Sequence, residues 1–165
     1  ELSILICCIL VSGNICRSPI AEGVFQKTVN DLNKGDEWEI DSAAIGGWHV
    51  GNPPDWRAID VMKKYNVPYN NHARQITSED FNHYDYIFGM DEANMKDLSK
   101  RAPKGSKAKL LLFGDFDPEG DRIIRDPYYV CLCLRFNDNY LFKKFNLKFL
   151  FSLILLYFIH FFILT

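Results

Sequence analysis

Apolar and amphipathic segments alternate along the chain as far as about Tyr129. The segments SILICC, EWEIDSA, DYIFGM and KAKLLLFGDF are continuous apolar or alternating runs of the kind that form strands. Between them, PIAEGVFQKTVNDL, PDWRAIDVMKKYNV and DEANMKDLSKRA place apolar residues near helical spacing. This alternation predicts an α/β fold, a doubly wound four-stranded parallel sheet with helices on both faces.

The composition changes after Tyr129. From Phe136 to Thr165 nearly every residue is Phe, Leu, Ile, Lys, Asn or Tyr, which are types with A/T-rich codons. We therefore divide the chain into a domain at 1–130 and an atypical apolar tail at 131–165. The tail is interpreted either as translated non-coding sequence or as a membrane anchor, because FLFSLILLYFIHFFILT approaches the length that spans a bilayer. A membrane partner is expected only under the second interpretation.

Charge and cysteine usage exclude several classes of protein. The formal net charge of -2 gives no basic stripe, so no nucleic-acid partner is expected. Five cysteines without a spaced framework indicate a reduced chain in the cytoplasm. Cys131 and Cys133 have no partner pair at zinc-ligand spacing, and no metal or cofactor is expected.

A candidate phosphate-binding loop follows the first predicted strand, where GNICRS leads into a helix. Free backbone N–H groups and the helix dipole favour an anion at such a terminus. Gly13 removes bulk, Asn14 tolerates a left-handed conformation, and Arg17 offers a planar fork to phosphoryl oxygens. The alternative is an ordinary turn with a solvated arginine. The phosphate-binding residues under the first interpretation are Gly13, Asn14, Ile15, Cys16, Arg17 and Ser18.

Several segments resemble, in order and spacing, the low-molecular-weight protein tyrosine phosphatases: GNICRSPIAEGVF, DSAAIGGWHVGNPPDWR, HARQIT, FNHYDYIFGMDEAN and DPYY. The resemblance runs from about Ser3 to Tyr129. It implies the phosphotyrosine protein phosphatase I-like fold and hydrolysis of phosphotyrosine and small aryl phosphates through a phosphocysteine intermediate. It also implies that neither metal nor cofactor takes part, as in acid phosphatases of this type.

The resemblance implies three catalytic residues. Cys8, in the first strand, is the nucleophile, Arg17 closes the loop around the phosphoryl group, and Asp126 in DPYY protonates the leaving phenol. The residues themselves suit these tasks, because a helix N-terminus and an arginine favour a reactive thiolate. A carboxyl group can serve as general acid and then as base toward water. The alternative for Asp126 is a turn residue before proline.

The resemblance also implies supporting residues. Asn14, Ser42 and His72 match positions that hydrogen-bond together and hold the strained loop. Ser42 as a strand-end cap and His72 as a solvated loop residue are the alternatives. Cys16 matches a second loop cysteine that can form a disulfide with the nucleophile, or is a small packing residue. The wall that sandwiches the substrate ring is assigned to Trp48, Tyr128 and Tyr129.

The spacing before Arg17 departs from the family, which has five residues between nucleophile and arginine. Counting back from Arg17 gives Val11, whereas aligning the strand gives Cys8, with residues 9–12 where the family has one residue. Either the three additional residues bulge and leave Cys8 beside the loop, or the strand continues through Val11 and leaves the loop without a nucleophile. Continuous apolar character from Leu2 to Val11 favours the strand.

Three alternatives stand beside the phosphatase. One is a catalytically impaired, phosphate-binding pseudophosphatase, in which the loop and Arg17 remain and Cys8 is displaced. The second is a tail-anchored membrane protein that uses this domain as its cytosolic head. The third is an arsenate reductase of related fold, which would need shuttling cysteines, and Cys131 and Cys133 are poor candidates for that role.

Overall fold

The computed structural model describes residues 5–11 and 13–126, with residues 5–11 described by their backbone alone. The predictions for the tail at 131–165 and for Tyr128 and Tyr129 lie outside these residues. The helices and strands in chain order are β1 (Leu5–Val11), α1 (Arg17–Asp31), β2 (Trp38–Ala44), α2 (Trp56–Lys64), α3 (Asp80–His83), β3 (Tyr86–Gly89), α4 (Glu92–Arg101) and β4 (Lys109–Leu112).

The four strands form one parallel sheet in the order β2–β1–β3–β4. The predicted doubly wound sheet is confirmed, and its two faces can be recognised from β3. Ile87 and Phe88 are consecutive in that strand and pack into different core clusters, as side chains on opposite faces must. Ile87 packs in a cluster with Phe81 and Leu98, whereas Phe88 packs in the cluster that contains the buried apolar residues of α1.

The helix termini follow local chemistry that the sequence displays. Asp55 caps α2 by accepting a hydrogen bond from the Arg57 backbone N–H at 2.9 Å. Asn66, just beyond α2, adopts the left-handed conformation with φ 54°, which is typical of the residue that ends a helix. Lys100 and Arg101 occupy the last turn of α4, where cations complement the helix dipole.

Two elements differ from the prediction. The short helix α3 was not predicted, because four residues carry no periodic pattern. The segment predicted as the end of the last strand instead forms a 3-10 turn at Phe113–Phe116. Gly114 lies in this turn directly against the backbone of Arg122, where a methyl group would collide. The turn thus brings residues 122–126 back toward the sheet.

The topology places a site at the carboxyl end of β1. This central strand has β2 on one side and β3 on the other, so the chain direction of the connections switches there. The loop from Gly13 to Cys16 leaves the sheet at this point and runs into α1. Over the described residues, no helix is both long and apolar enough to cross a membrane.

Candidate active site

Asn14 shapes the loop that connects β1 to α1. It is buried and has φ 56°, in the left-handed region that an asparagine tolerates better than most residues. Its side-chain amide donates hydrogen bonds to the Ser18 and Ser42 hydroxyl oxygens, both at 2.8 Å. Its amide oxygen accepts a hydrogen bond from the Arg74 backbone N–H at 3.2 Å. These contacts can hold a strained loop in one conformation.

The structure brings Asn14 and Ser42 together as expected but leaves His72 outside the group. The His72 side chain is exposed, and within the described part of the chain it makes no hydrogen bond to Asn14 or Ser42. The neighbouring Ala73 is the residue that turns inward, and its backbone pairs with Asn52 and Gly51. The predicted hydrogen bond of His72 is therefore replaced by that of the Arg74 backbone.

The buried carboxylate of Glu22 completes the hydrogen-bonded group. Glu22 lies on α1 and accepts hydrogen bonds from the Ser42 hydroxyl, the Tyr69 hydroxyl and the Asn71 side-chain amide. Burial raises the pKa of Glu22, and the hydrogen bond from Ser42 opposes this shift. Sequence reasoning did not identify Glu22. The signal available was a charged residue within an otherwise apolar stretch of the helix, one turn after Ser18.

Arg17 is the first residue of α1 and is 2% exposed. Its Nη1 donates to an Asp91 carboxylate oxygen at 2.7 Å and to the Ile124 carbonyl at 2.8 Å, and its Nη2 donates to Asp126 at 2.8 Å. These contacts occupy three of the five guanidinium N–H groups. The Nε–H and one Nη2 hydrogen make none of these contacts, so they can donate to an oxyanion while both carboxylates stay in place.

Asp91 and Asp126 converge on Arg17 from different parts of the chain. Asp91 caps α4 by accepting from the Asn94 backbone N–H at 2.8 Å, so it serves the helix and the arginine together. Asp126 follows the segment that the 3-10 turn returns to the sheet. Its side chain is 26% exposed, so water and substrate can reach it. The structure thus places the predicted acid beside the predicted phosphate ligand.

Cys16 lies within the loop but is unsuited to attack. It is 5% exposed, and burial, with smaller contributions from Asp55 and Asp126, raises its pKa to about 12. The thiol form is the poor nucleophile, so Cys16 stays inert at neutral pH. The loop is anchored nearby, because the Asp55 backbone N–H donates to the Ile15 carbonyl at 2.8 Å. The pairing of Cys16 with another cysteine stays a prediction.

The backbone of β1 bears on the choice between Cys8 and Val11. Cys8 lies within the strand, opposite Asp41 in β2 and Ile87 in β3, whereas Val11 is the last residue and lies opposite Ala44. At the rise of a parallel strand, the Cys8 Cα is about 10 Å before the Val11 Cα. The strand thus continues through Val11, as the apolar pattern favours. The role of Cys8 as nucleophile stays a prediction.

An aromatic wall stands beside the loop. Trp48 is 68% exposed, and its Nε1 lies 3.5 Å from the position that a Cβ on Gly13 would occupy. The His49 ring is closer, with its Cδ2 3.0 Å from that position, and sequence reasoning did not identify it. A methyl group on Gly13 would therefore press on the His49 ring, which would have to shift by a few tenths of an ångström. Trp48 is suitably placed to contact a substrate ring.

We expect Gly46→Ala to move the Trp48 indole, because a methyl group on Gly46 would overlap the indole ring. Binding of phenylphosphonate should weaken about fivefold, while inorganic phosphate, which has no ring, should bind as before. Calorimetric titration of both ligands measures this difference. Gly47→Ala is the matched control, since its added Cβ meets only the Gln75 side chain, at 3.1 Å. An equal loss for both ligands would contradict a role for the wall in ring binding.

A buried arginine at a helix N-terminus, at the switch point of a parallel sheet and beside two carboxylates, defines a class of protein that handles phosphoryl groups. Among the described residues no group of three or more metal-ligating side chains occurs. The side chains that the described part of the site brings together are the Arg17 guanidinium, the Ser18 and Ser42 hydroxyls, the Asn14 amide and the Asp91 and Asp126 carboxylates.

Comparison with known proteins identifies the family. The family described as "Low molecular weight phosphotyrosine protein phosphatase" matches residues 3–133. The chain is 50% identical over 129 residues to a Homo sapiens protein of that name, covering 77% of this chain and 80% of the relative. It is 58% identical over 118 residues to low molecular weight phosphotyrosine protein phosphatase 1 of Drosophila melanogaster, covering 71% and 76%.

A solved structure agrees with the sequence relatives. The protein tyrosine phosphatase from Entamoeba histolytica, with Hepes in its active site, is similar with a TM-score of 0.82 at 29% identity, covering 92% of this chain and 95% of that one. The chain belongs to the low molecular weight phosphotyrosine protein phosphatase family. The predicted family, fold and class of enzyme, hydrolases of phosphate monoesters, are thereby confirmed.

Proposed function

We propose that this chain binds the phosphoryl group of phosphotyrosine proteins and small aryl phosphates in the loop from Gly13 to Ser18, and hydrolyses it. The observation that carries the proposal is the Arg17 guanidinium, buried at the N-terminus of α1 with Asp126 at 2.8 Å. A planar fork for two phosphoryl oxygens and a carboxyl group beside it are what phosphate monoester hydrolysis needs. Trp48 supplies a surface for the aryl ring.

The proposed reaction has two steps. The Cys8 thiolate attacks phosphorus, so a P–S bond forms as the P–O bond to the phenol breaks, and Asp126 gives its proton to the leaving oxygen. Water then attacks the phosphocysteine, Asp126 takes the proton of the water, and phosphate leaves as the thiolate is regenerated. Arg17 faces the charge on the transferred oxygens throughout. For the Cys8 sulfur to reach phosphorus, residues 9–12 must leave the strand register.

A second candidate function is phosphate binding without turnover. Its support is the continuation of the β1 backbone through Val11, because Val11 stands at the family's spacing before Arg17 and has no nucleophilic atom. In that case Arg17, the loop and the aromatic wall would recognise phosphotyrosine, and the phosphoryl group would stay intact.

One experiment separates the two functions. Turnover of para-nitrophenyl phosphate at mildly acidic pH, and calorimetric binding of inorganic phosphate, are measured for the chain and for Cys8→Ser, Asp126→Asn and Cys7→Ser. For the phosphatase we expect Cys8→Ser to abolish turnover and Asp126→Asn to lower it by about 10²–10⁴. Cys7→Ser, the neighbouring thiol, is the matched control and should retain turnover.

Three other outcomes are decisive. Phosphate binding without turnover by the unmodified chain would support the second candidate. Turnover that survives Cys8→Ser would show that Cys8 is not the nucleophile, while phosphate monoester hydrolysis would still be the reaction. A folded chain that neither binds phosphate nor turns over the aryl phosphate would overturn both functions.

We infer a reducing compartment, the cytoplasm, for this activity. A thiolate nucleophile must stay reduced, and Cys16, whose thiol the structure shows free and buried, fits that compartment. Contact with a membrane depends on the tail at 131–165 and stays a prediction.

A further inference from the structure

We propose that three exposed side chains around the phosphate loop, Val50, Trp56 and Ile123, form an apolar rim that binds apolar residues on either side of the phosphotyrosine in a substrate protein. The inference rests on the proposed phosphate binding in the loop and deepens it, because it names the class of sequence that the site prefers. Trp48 is assigned to the phenyl ring itself, whereas the apolar rim contacts the residues that flank the phosphotyrosine.

The exposed apolar residues of the described part of the chain are concentrated around one site. Five large apolar side chains are exposed there: Leu32, Trp48, Val50, Trp56 and Ile123. Four of them belong to segments that adjoin the loop or Arg17, and the fifth, Leu32, lies just beyond the far end of α1. Single exposed apolar residues are normal, but a concentration of them beside a binding site marks an interaction surface.

Trp56 is the most exposed member of the apolar rim, at 72%. It is the first residue of α2, and the Asp55 backbone N–H before it donates to the Ile15 carbonyl at 2.8 Å, so α2 begins directly against the loop. Helical side chains lean toward the N-terminus of their helix, which directs the indole toward the loop. Trp56 therefore offers a large apolar surface beside the phosphate ligand.

Ile123 reaches the same site from a different part of the chain. The next residue, Ile124, is buried, with its N–H donating to the Met90 carbonyl at 3.1 Å and its carbonyl accepting from Arg17 at 2.8 Å. These two hydrogen bonds fix the backbone, and Ile123 is left 40% exposed next to them. Val50 completes the apolar rim from the loop that follows β2.

The charged residues next to Trp56 and Ile123 are paired within the chain. Asp55 accepts from the Arg57 Nε at 2.8 Å and from its Nη2 at 2.9 Å, and Arg122 pairs with Asp115. These pairs offer little attraction to an acidic or a basic flanking residue. An apolar flanking residue instead gains in proportion to the apolar area that it removes from water.

The dimensions of a peptide bring its flanking residues to the apolar rim. In an extended peptide, residues within two positions of the phosphotyrosine lie within about 7 Å of it along the backbone. When Arg17 holds the phosphoryl group and the phenyl ring lies against Trp48, these residues pass over the segments that surround the loop. A leucine there can pack on the Trp56 indole or on Ile123.

Calorimetric titration of the full chain with two peptides of equal length tests this inference. Both peptides carry phosphonomethyl-phenylalanine, a phosphotyrosine analogue that cannot be hydrolysed, so the test serves either candidate function. One peptide has leucine at the two positions on each side of the analogue, and the other has serine there. We expect the leucine peptide to bind about tenfold more tightly.

The variants assign this preference to the apolar rim. Trp56→Ala combined with Ile123→Ala should reduce the preference for leucine to less than about twofold, while inorganic phosphate, which does not reach the apolar rim, binds as before. Trp56→Phe keeps an aromatic ring and should retain a preference of more than about fivefold. Leu32→Ala is the matched control, since it removes an exposed apolar side chain away from the loop, and it should leave the preference unchanged.

Equal affinities of the unmodified chain for the two peptides would overturn the inference, as would a preference that survives in the double variant. Sedimentation equilibrium tests a second copy of the chain as the occupant. A dimer that dissociates in the double variant would assign the apolar rim to that copy and would also overturn the inference. Failure of the unmodified chain to bind inorganic phosphate is a separate result, because it would overturn the proposed function itself.

Discussion

Arg17→Lys is expected to weaken inorganic phosphate binding by more than about a hundredfold, because the planar guanidinium can donate to two phosphoryl oxygens at once and a lysine ammonium cannot match that geometry. A lysine ammonium is instead a compact charge at the end of a flexible aliphatic chain. It could still reach Asp91 or Asp126, whose oxygens lie 2.7 and 2.8 Å from the arginine nitrogens, and would then be neutralised rather than aimed at the ligand.

The same substitution should lower the free energy of unfolding. Arg17 is 2% exposed and satisfies Asp91, Asp126 and the Ile124 carbonyl together. Lysine cannot serve all three, and an acceptor left without its donor is costly. The two carboxylates are about a quarter exposed, so solvent screens their charges. We therefore expect Arg17→Lys to lower the free energy of unfolding by about 1–2 kcal/mol.

Calorimetric titration with phosphate and urea unfolding measure the two effects separately. Arg122→Lys is the control for the exchange of arginine by lysine as such, since Arg122 is exposed and pairs with Asp115 on the surface. It should change neither quantity appreciably. Phosphate affinity within about threefold of the unmodified chain in Arg17→Lys would show that the guanidinium fork is not the phosphate ligand.

The parts of this site that the sequence predicts are those with local causes. The loop before α1 is recognisable because glycine, asparagine and arginine occur at a strand-to-helix junction. Asp55 begins α2 with a side-chain cap, and Asn66 ends it by adopting a left-handed backbone conformation. Asp91 stands at the start of a predicted helix, where an aspartate is a common cap. The structure shows that its carboxylate caps α4 and also accepts from Arg17.

The parts that the sequence does not predict depend on contacts between distant segments. Glu22 becomes a site residue only because β2 brings Ser42 and the following loop brings Tyr69 and Asn71 to it. His72 was predicted to hydrogen-bond with Asn14 and Ser42, but its side chain is exposed, and Ala73 is the neighbour that is buried. The end of β1 is similar, since an apolar run shows that a strand exists but its last paired residue depends on Ala44 in β2.

The end of β1 at Val11 leads to the substitution for which we expect the largest change in turnover. Adding Val11→Cys to the Cys8→Ser chain should raise turnover of para-nitrophenyl phosphate at least about a thousandfold over Cys8→Ser alone. Val11 is the last residue of β1 and has five residues between it and Arg17, which is the spacing that the family has between its nucleophile and its arginine. The N-terminus of α1 and Arg17 would favour its thiolate form.

This expectation holds under either candidate function, because Cys8→Ser removes the natural nucleophile in one case and an idle thiol in the other. Val11→Ser in the same background is the matched control, with a hydroxyl of similar size that has no base to activate it. Trapping of a phosphocysteine at position 11, followed by mass spectrometry, identifies the attacking atom. Turnover of the Val11→Cys chain no higher than that of Val11→Ser would mean that the end of β1 does not face the phosphoryl group held by Arg17. The residues 9–12 would then have to leave the strand for any cysteine of this chain to attack.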